Sequence, residues 1–98
     1  MNSRSDIIKL LEKERETIKS FGVRELGVFG SFARNEQTSN SDVDVLVDLE
    51  RKTFDAYMDL LFFLEGLFGR KVDLVMKETI KPIIKNRILS ETVYVKGF

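Results

Sequence analysis

Cysteine and histidine are both absent from this 98-residue chain. Their absence excludes disulfides, thiolate nucleophiles, histidine general bases, and thiolate or imidazole metal sites. Any chemistry must rest on carboxylates, hydroxyls, lysine, arginine or backbone groups. Neither sign of charge is in excess, with 16 lysines and arginines against 16 aspartates and glutamates. The overall balance therefore favours neither wrapping nucleic acid nor lying on an anionic membrane. No segment reaches the ~18 apolar residues of a membrane span. The opening MNSRSDIIKLLEKERE has no long apolar stretch beside a small-residue cleavage site. A cytoplasmic location is the expectation. The length suits one domain, residues 1–98, with room for one site, and neither repeats nor a low-complexity linker divides it.

What is present is an alternation of helix-like and strand-like segments. Residues 5 to 20 set Ile7, Leu10, Leu11 and Ile18 at helical spacing with charges between them, and Gly22 supplies a C-terminal stop. ELGVFG, 25 to 30, is a short apolar run closed by glycine, and DVDVLVDL, 42 to 49, alternates with period two. The pattern predicts a helix over FDAYMDLLFFLEGLFG, 54 to 69, and a strand over KVDLVM, 71 to 76. Pro82 suits the first turn of a short helix carrying Ile83, Ile84, Ile88 and Leu89, before a last strand at TVYV, 92 to 95. With a short helix starting near Ser31, the order is α-β-(short α)-β-α-β-α-β, an α/β (α+β) sheet with helices on it.

Two aspartates stand out in the second strand. In an extended 42 to 48, Asp42 and Asp44 project from one face with Leu46, roughly 6.5 to 7 Å apart, while Val43, Val45 and Val47 point the other way. A solvated strand face is one explanation of such a pair. A divalent cation is the other, since carboxylates converging on magnesium lose their mutual repulsion and leave positions open for substrate phosphates. A calcium loop of the EF-hand type is disfavoured, because the stretch lacks its spacing and runs on into valines. Gly30-Ser31 supplies what such a site needs on its other side. Glycine lets backbone approach a phosphate, and a helix starting near Ser31 would aim N–H groups and the serine hydroxyl at the anion. The same pair also fits an ordinary strand-to-helix turn with serine as N-cap. Arg34, about one turn beyond Ser31, either reaches a phosphate oxygen or remains a surface arginine. Asp73 lies mid-strand, opposite in direction to Val72 and Leu74. If its strand lies beside 42 to 48, it completes a triad able to hold two metal ions; otherwise it faces water from an edge.

Taken together, Gly30, Ser31, Arg34, Ser41, Asp42, Asp44 and Asp73 form a pattern that resembles the minimal nucleotidyltransferase (MNT) family of the DNA polymerase β-like superfamily. The signature of that family is G-S, a short arginine-bearing helix, a loop, S-D-x-D and a later strand aspartate, and the resemblance covers nearly the whole chain. Asn35 stands where such proteins usually carry glycine, and asparagine is the next best residue for a left-handed helix end. The resemblance implies a small mixed β-sheet with flanking helices, Mg²⁺ as cofactor, ATP as substrate, and transfer of a nucleoside monophosphate to a hydroxyl with release of pyrophosphate. It implies metal binding by Asp42, Asp44 and Asp73, with Asp73 also helping to deprotonate the acceptor. It places Gly30, Ser31, Arg34 and Ser41 at the nucleotide. It further implies that a partner presents the acceptor, and that the chain is the antitoxin of a HEPN-type toxin. Three readings stay open: a transferase modifying a partner protein, a non-catalytic toxin-neutralising module, and an RNA-tailing enzyme. The complete aspartate set favours the first over the second. Neutral charge and the lack of a basic strip interleaved with aromatics disfavour nucleic acid.

The helix at 55 to 68 predicts association. Tyr57, Leu60, Leu61, Leu64 and Phe68 already form a stripe for covering the sheet, which leaves Met58, Phe62, Phe63 and Leu67 over. A second apolar stripe is covered either by the N-terminal helix or by an interface, with a partner or with a second copy of the chain.

Overall fold

A computed structural model describes residues 3–98. Helix α1 (Arg4–Lys13) starts at Ser3, whose side-chain oxygen accepts the Asp6 N–H. The single helix expected over 5 to 20 is divided at Glu14 (φ −97°, ψ 18°) into α1 and α2 (Arg15–Lys19). The Glu14 N–H bonds Leu10 O and the Ile18 N–H bonds Glu14 O, one on each side of the bend. The bend keeps Ile7, Leu11 and Ile18, all fully buried, on one continuous apolar stripe. Gly22 ends the segment as expected, with a positive φ of 85°.

Strand β1 (Val23–Phe29) runs into a single helical turn, α3 (Gly30–Ala33), followed by a loop and β2 (Val43–Leu49). Asp42 lies just before β2 and not inside it. Helix α4 (Phe54–Phe68) is capped by Thr53, which accepts the Ala56 N–H at 3.1 Å, and by Gly69 in the left-handed region. It makes the crossover to β3 (Val72–Met76), which pairs parallel with β2. A 3-10 turn (Lys77–Thr79) leads to α5 (Pro82–Glu91), with proline in its first turn, and then to β4 (Val93–Tyr94). The last strand is thus two residues, shorter than the 92 to 95 expected. The sheet order is β3-β2-β1-β4, with β1 antiparallel to both of its neighbours. The mixed sheet with flanking helices is the architecture the sequence implied.

The two faces of the sheet differ. Val43, Val45, Val47 and Leu49 of β2 join Leu26 and Val28 of β1 in the main core, under α1, α2 and α4. On the opposite face only Phe29, Leu46 and Ile80 form a small apolar cluster, sheltered by Val75, Ile88 and Leu89. Helix α5 contributes no fully buried residue. Its cover is partial, and the rest of that face stays polar.

Helix α4 buries the predicted stripe through Leu60, Leu64 and Phe68. The leftover residues divide. Phe63 and Leu67 pack against the main core, with the Phe63 ring 5.4 Å from that of Phe21, so the N-terminal region covers part of the second stripe. Phe62 remains 62% exposed and Phe54 75% exposed. No described helix is long and apolar enough to cross a membrane.

Candidate active site

The site is built at the end of β1 and the beginnings of β2 and β3. Antiparallel pairing sets Phe29 opposite Asp44, and parallel pairing sets Asp44 opposite Asp73. The adjacency that sequence could only pose as a condition is therefore met. Asp44 is half-buried, while Asp42 and Asp73 are exposed.

Gly30 follows Phe29 with φ +71°, where side chains are disfavoured. A Cβ there would lie 1.9 Å from Asp44 Oδ2 and 2.8 Å from its Cγ. Glycine is thus required twice over, for its backbone angle and for the close approach of the carboxylate. Helix α3 is only four residues long, so Arg34 is its C-cap and not a residue inside a continuing helix. What the turn presents is individual N–H groups more than a summed helix dipole. Asn35 adopts φ 56°, the left-handed end expected of it.

Electrostatics separate the aspartates of one strand face. Asp48 lies within 3.4 Å of Arg24 and 3.6 Å of Lys52. Among the described residues Asp42, Asp44 and Asp73 take part in no salt bridge. Burial, then the charges of Asp73 and Asp42, push the Asp44 carboxyl up from 3.8 to about 6, with Arg34 acting weakly the other way. These are the marks of a carboxylate set whose repulsion Arg34 offsets only in part. An oxygen-only, unneutralised donor set of this kind fits a hard divalent cation such as Mg²⁺. Among the described residues no three acidic side chains are drawn together closely enough to enclose a metal.

Ser31 is half-buried beside Gly30, and its carbonyl accepts the Glu36 N–H at 2.8 Å. The Ser41 hydroxyl is taken up by its own loop, accepting the Thr38 N–H at 2.8 Å. Its carbonyl, with that of Ser39, accepts from Arg70 Nη1 at 3.1 Å. The Arg70 guanidinium also sits 5.4 Å over the Phe32 ring. Arg70 therefore fastens the loop that leads into Asp42. Arg34 donates to Glu36 at 2.8 Å and to Glu91 at 2.9 Å. Neither Arg70 nor Glu91 carried a sequence signal, since each acts across the fold. A hollow of about 460 Å³ lined by Lys19, Phe21, Gly22, Glu50, Thr53 and Asp59 lies at the opposite end of the sheet and contains none of these residues. Asp42 and Asp73 are exposed on either side of the half-buried Asp44.

Comparison with known proteins identifies the family. Residues 8–95 match the model of the nucleotidyltransferase domain family. A protein adenylyltransferase, MntA, of Thermococcus cleftensis is 46% identical over 87 residues, covering 88% of each chain. The crystal structure of a toxin-antitoxin with AMP-PNP is similar at a TM-score of 0.70 and 25% identity, covering 97% of this chain and 73% of that one. A structure of tri-AMPylated Shewanella oneidensis HEPN toxin in complex with MNT antitoxin shares the fold at a TM-score of 0.66 and 17% identity, over 93% of this chain and 73% of that one. With residues 8–95 matched by the family model and 88% of its length by the adenylyltransferase relative, the chain belongs to the nucleotidyltransferase family, in its minimal form.

Proposed function

We infer that the chain transfers AMP from ATP, in the presence of Mg²⁺, to a hydroxyl on a partner protein, and that this partner is a HEPN-type toxin whose antitoxin it is. One observation carries the reading: Asp44 and Asp73 are register partners on a face where, with Asp42, they form no salt bridge among the described residues. The adenylyltransferase relative and the AMP-PNP-bound toxin-antitoxin neighbour support the nucleotide and the partner.

In this reading Asp42, Asp44 and Asp73 hold the metal. A bound Mg²⁺ would supply charge neutralisation at the phosphates and a more acidic acceptor hydroxyl. Asp73, exposed at the edge strand, takes the proton as the acceptor oxygen attacks the α-phosphorus. The new O–P bond forms as the bond from the α-phosphorus to the β-bridging oxygen breaks, and pyrophosphate leaves with that electron pair. Gly30 N–H, Ser31 and Arg34 hold the departing phosphates, and Asp44 is kept against Gly30 so that metal and phosphate donors share one locus. Ser41 acts through the loop it closes, setting where Asp42 enters the site. The protein forms no covalent intermediate; positioning and charge stabilisation lower the barrier. The exposed Phe54 and Phe62 supply apolar surface for the partner.

The test uses ATP labelled at the α-phosphate or at the γ-phosphate, Mg²⁺, and either a HEPN-type toxin or RNA as acceptor. Label from the α-position on the protein is the expected result. Label only on RNA, or only from the γ-position, overturns the assignment.

A further inference from the structure

Glu91 is the last residue of α5, yet its side chain lies 61 positions along the chain from the glycine it touches. Its Oε2 accepts the Gly30 N–H at 2.6 Å and Arg34 Nη1 at 2.9 Å. One carboxylate oxygen thus joins two of the donors that the proposed function assigns to the phosphates. The side chain is 19% exposed, whereas the other acid on Arg34, Glu36, is 65% exposed. Glu91 is therefore seated in the site and not lying over it. Bonds of a carboxylate to a backbone N–H and to a guanidinium have the geometry and charge of a phosphate oxygen in the same place.

We propose that Glu91 is an internal anion seated on the phosphate donors, and that a nucleoside triphosphate binds by displacing its carboxylate from Gly30 N–H and Arg34. The inference rests on the phosphate reading of those two donors. A second phosphate oxygen cannot share the same donors with Glu91 without bringing like charges together, so the two anions exclude each other. The holding element suits a seat that must open. Helix α5 has no fully buried residue, and the short strand after it pairs with β1 at Val93 and Tyr94, with Val95 N–H donating to Leu26 O. The same contact keeps Gly30 N–H and Arg34 paired, so the donors are preformed.

Glu91→Gln keeps the shape and an oxygen to accept the Gly30 N–H but removes the charge. Binding of tripolyphosphate without metal, and of AMP-PNP with Mg²⁺, is measured by calorimetry on both proteins, together with melting in the absence of ligand. The expected result is an affinity about tenfold higher for both probes in the variant, with a lower ligand-free melting temperature, because a charged contact has been weakened. A merely structural role for Glu91 lowers the melting temperature and leaves affinity unchanged or reduced, and that result overturns the proposal. A phosphate-positioning role for Glu91 likewise reduces affinity. If AMP-PNP binds wild type while Glu91→Gln gives no gain, only this inference fails. If neither protein binds either probe, the phosphate reading of Gly30 and Arg34 fails with it. Glu91→Ala serves as a second variant should the glutamine protein fold poorly, with the same gain expected.

Discussion

Replacing Asp44 by asparagine removes one charge from the repelling set while keeping its shape against Gly30. The Asp44 carboxyl stands at about 6 in the folded protein against an ordinary 3.8, through burial first and then Asp73 and Asp42. Each tenfold change in proton affinity corresponds to about 1.4 kcal/mol, so the ceiling on the cost of ionising Asp44 is about 3 kcal/mol. The group is half-buried, and solvent screening reduces this to about 1–2 kcal/mol. The unfolded chain loses its proton first as pH rises, so the cost grows between 3.8 and about 6 and is full above that. Near neutral pH, Asp44→Asn should therefore melt about 5–10 °C higher than wild type without ligand. The difference should vanish about one unit below 3.8, where the aspartate is protonated in both states. With Mg²⁺ and ATP the order should reverse, because wild type gains binding energy that the variant lacks. Calorimetric melting across pH, with and without Mg²⁺ and ATP, reads all three, and α-labelled transfer should be lost in the variant. A variant whose stability matches wild type throughout that pH range, or which still transfers at the wild-type rate, would refute the reasoning.

Two other perturbations test the scaffold and the surface. Gly30→Ala combines a disfavoured φ of +71° with a Cβ 1.9 Å from Asp44 Oδ2, and should cost about 2–4 kcal/mol in urea unfolding. Adding Asp44→Ala should recover part of that loss, and strict additivity of the two would show that they do not press on each other. Phe54→Glu with Phe62→Glu should leave the melting temperature of the isolated chain nearly unchanged and weaken capture of a HEPN-type partner at least about tenfold. Unaltered capture, with the same mass by light scattering, would remove α4 as the docking surface.

Local pattern carried far in this chain. The period-two alternation of Val43, Val45 and Val47 against Asp42 and Asp44 determined which face of β2 is core, because a strand has only two faces and water sorts them. Gly30-Ser31 after an apolar run, Pro82 at the start of a helical one, and Gly22 after the first helix marked turns, because backbone angles are a property of the residue itself. The order of elements was legible for the same reason. Tertiary structure alone decided what meets across the fold. Asp44 faces Asp73 only because α4 carries the chain over to a parallel neighbour in that register. The bend at Glu14 and the burial of Phe63 against Phe21 depend on how helices share one sheet face, which no single helix encodes. Arg70 on the loop before Asp42, and Glu91 on Gly30 and Arg34, join residues 29 to 61 positions apart. Such contacts leave no periodic trace, since one charged side chain at the end of a helix looks like any solvated residue until the chain closes around it.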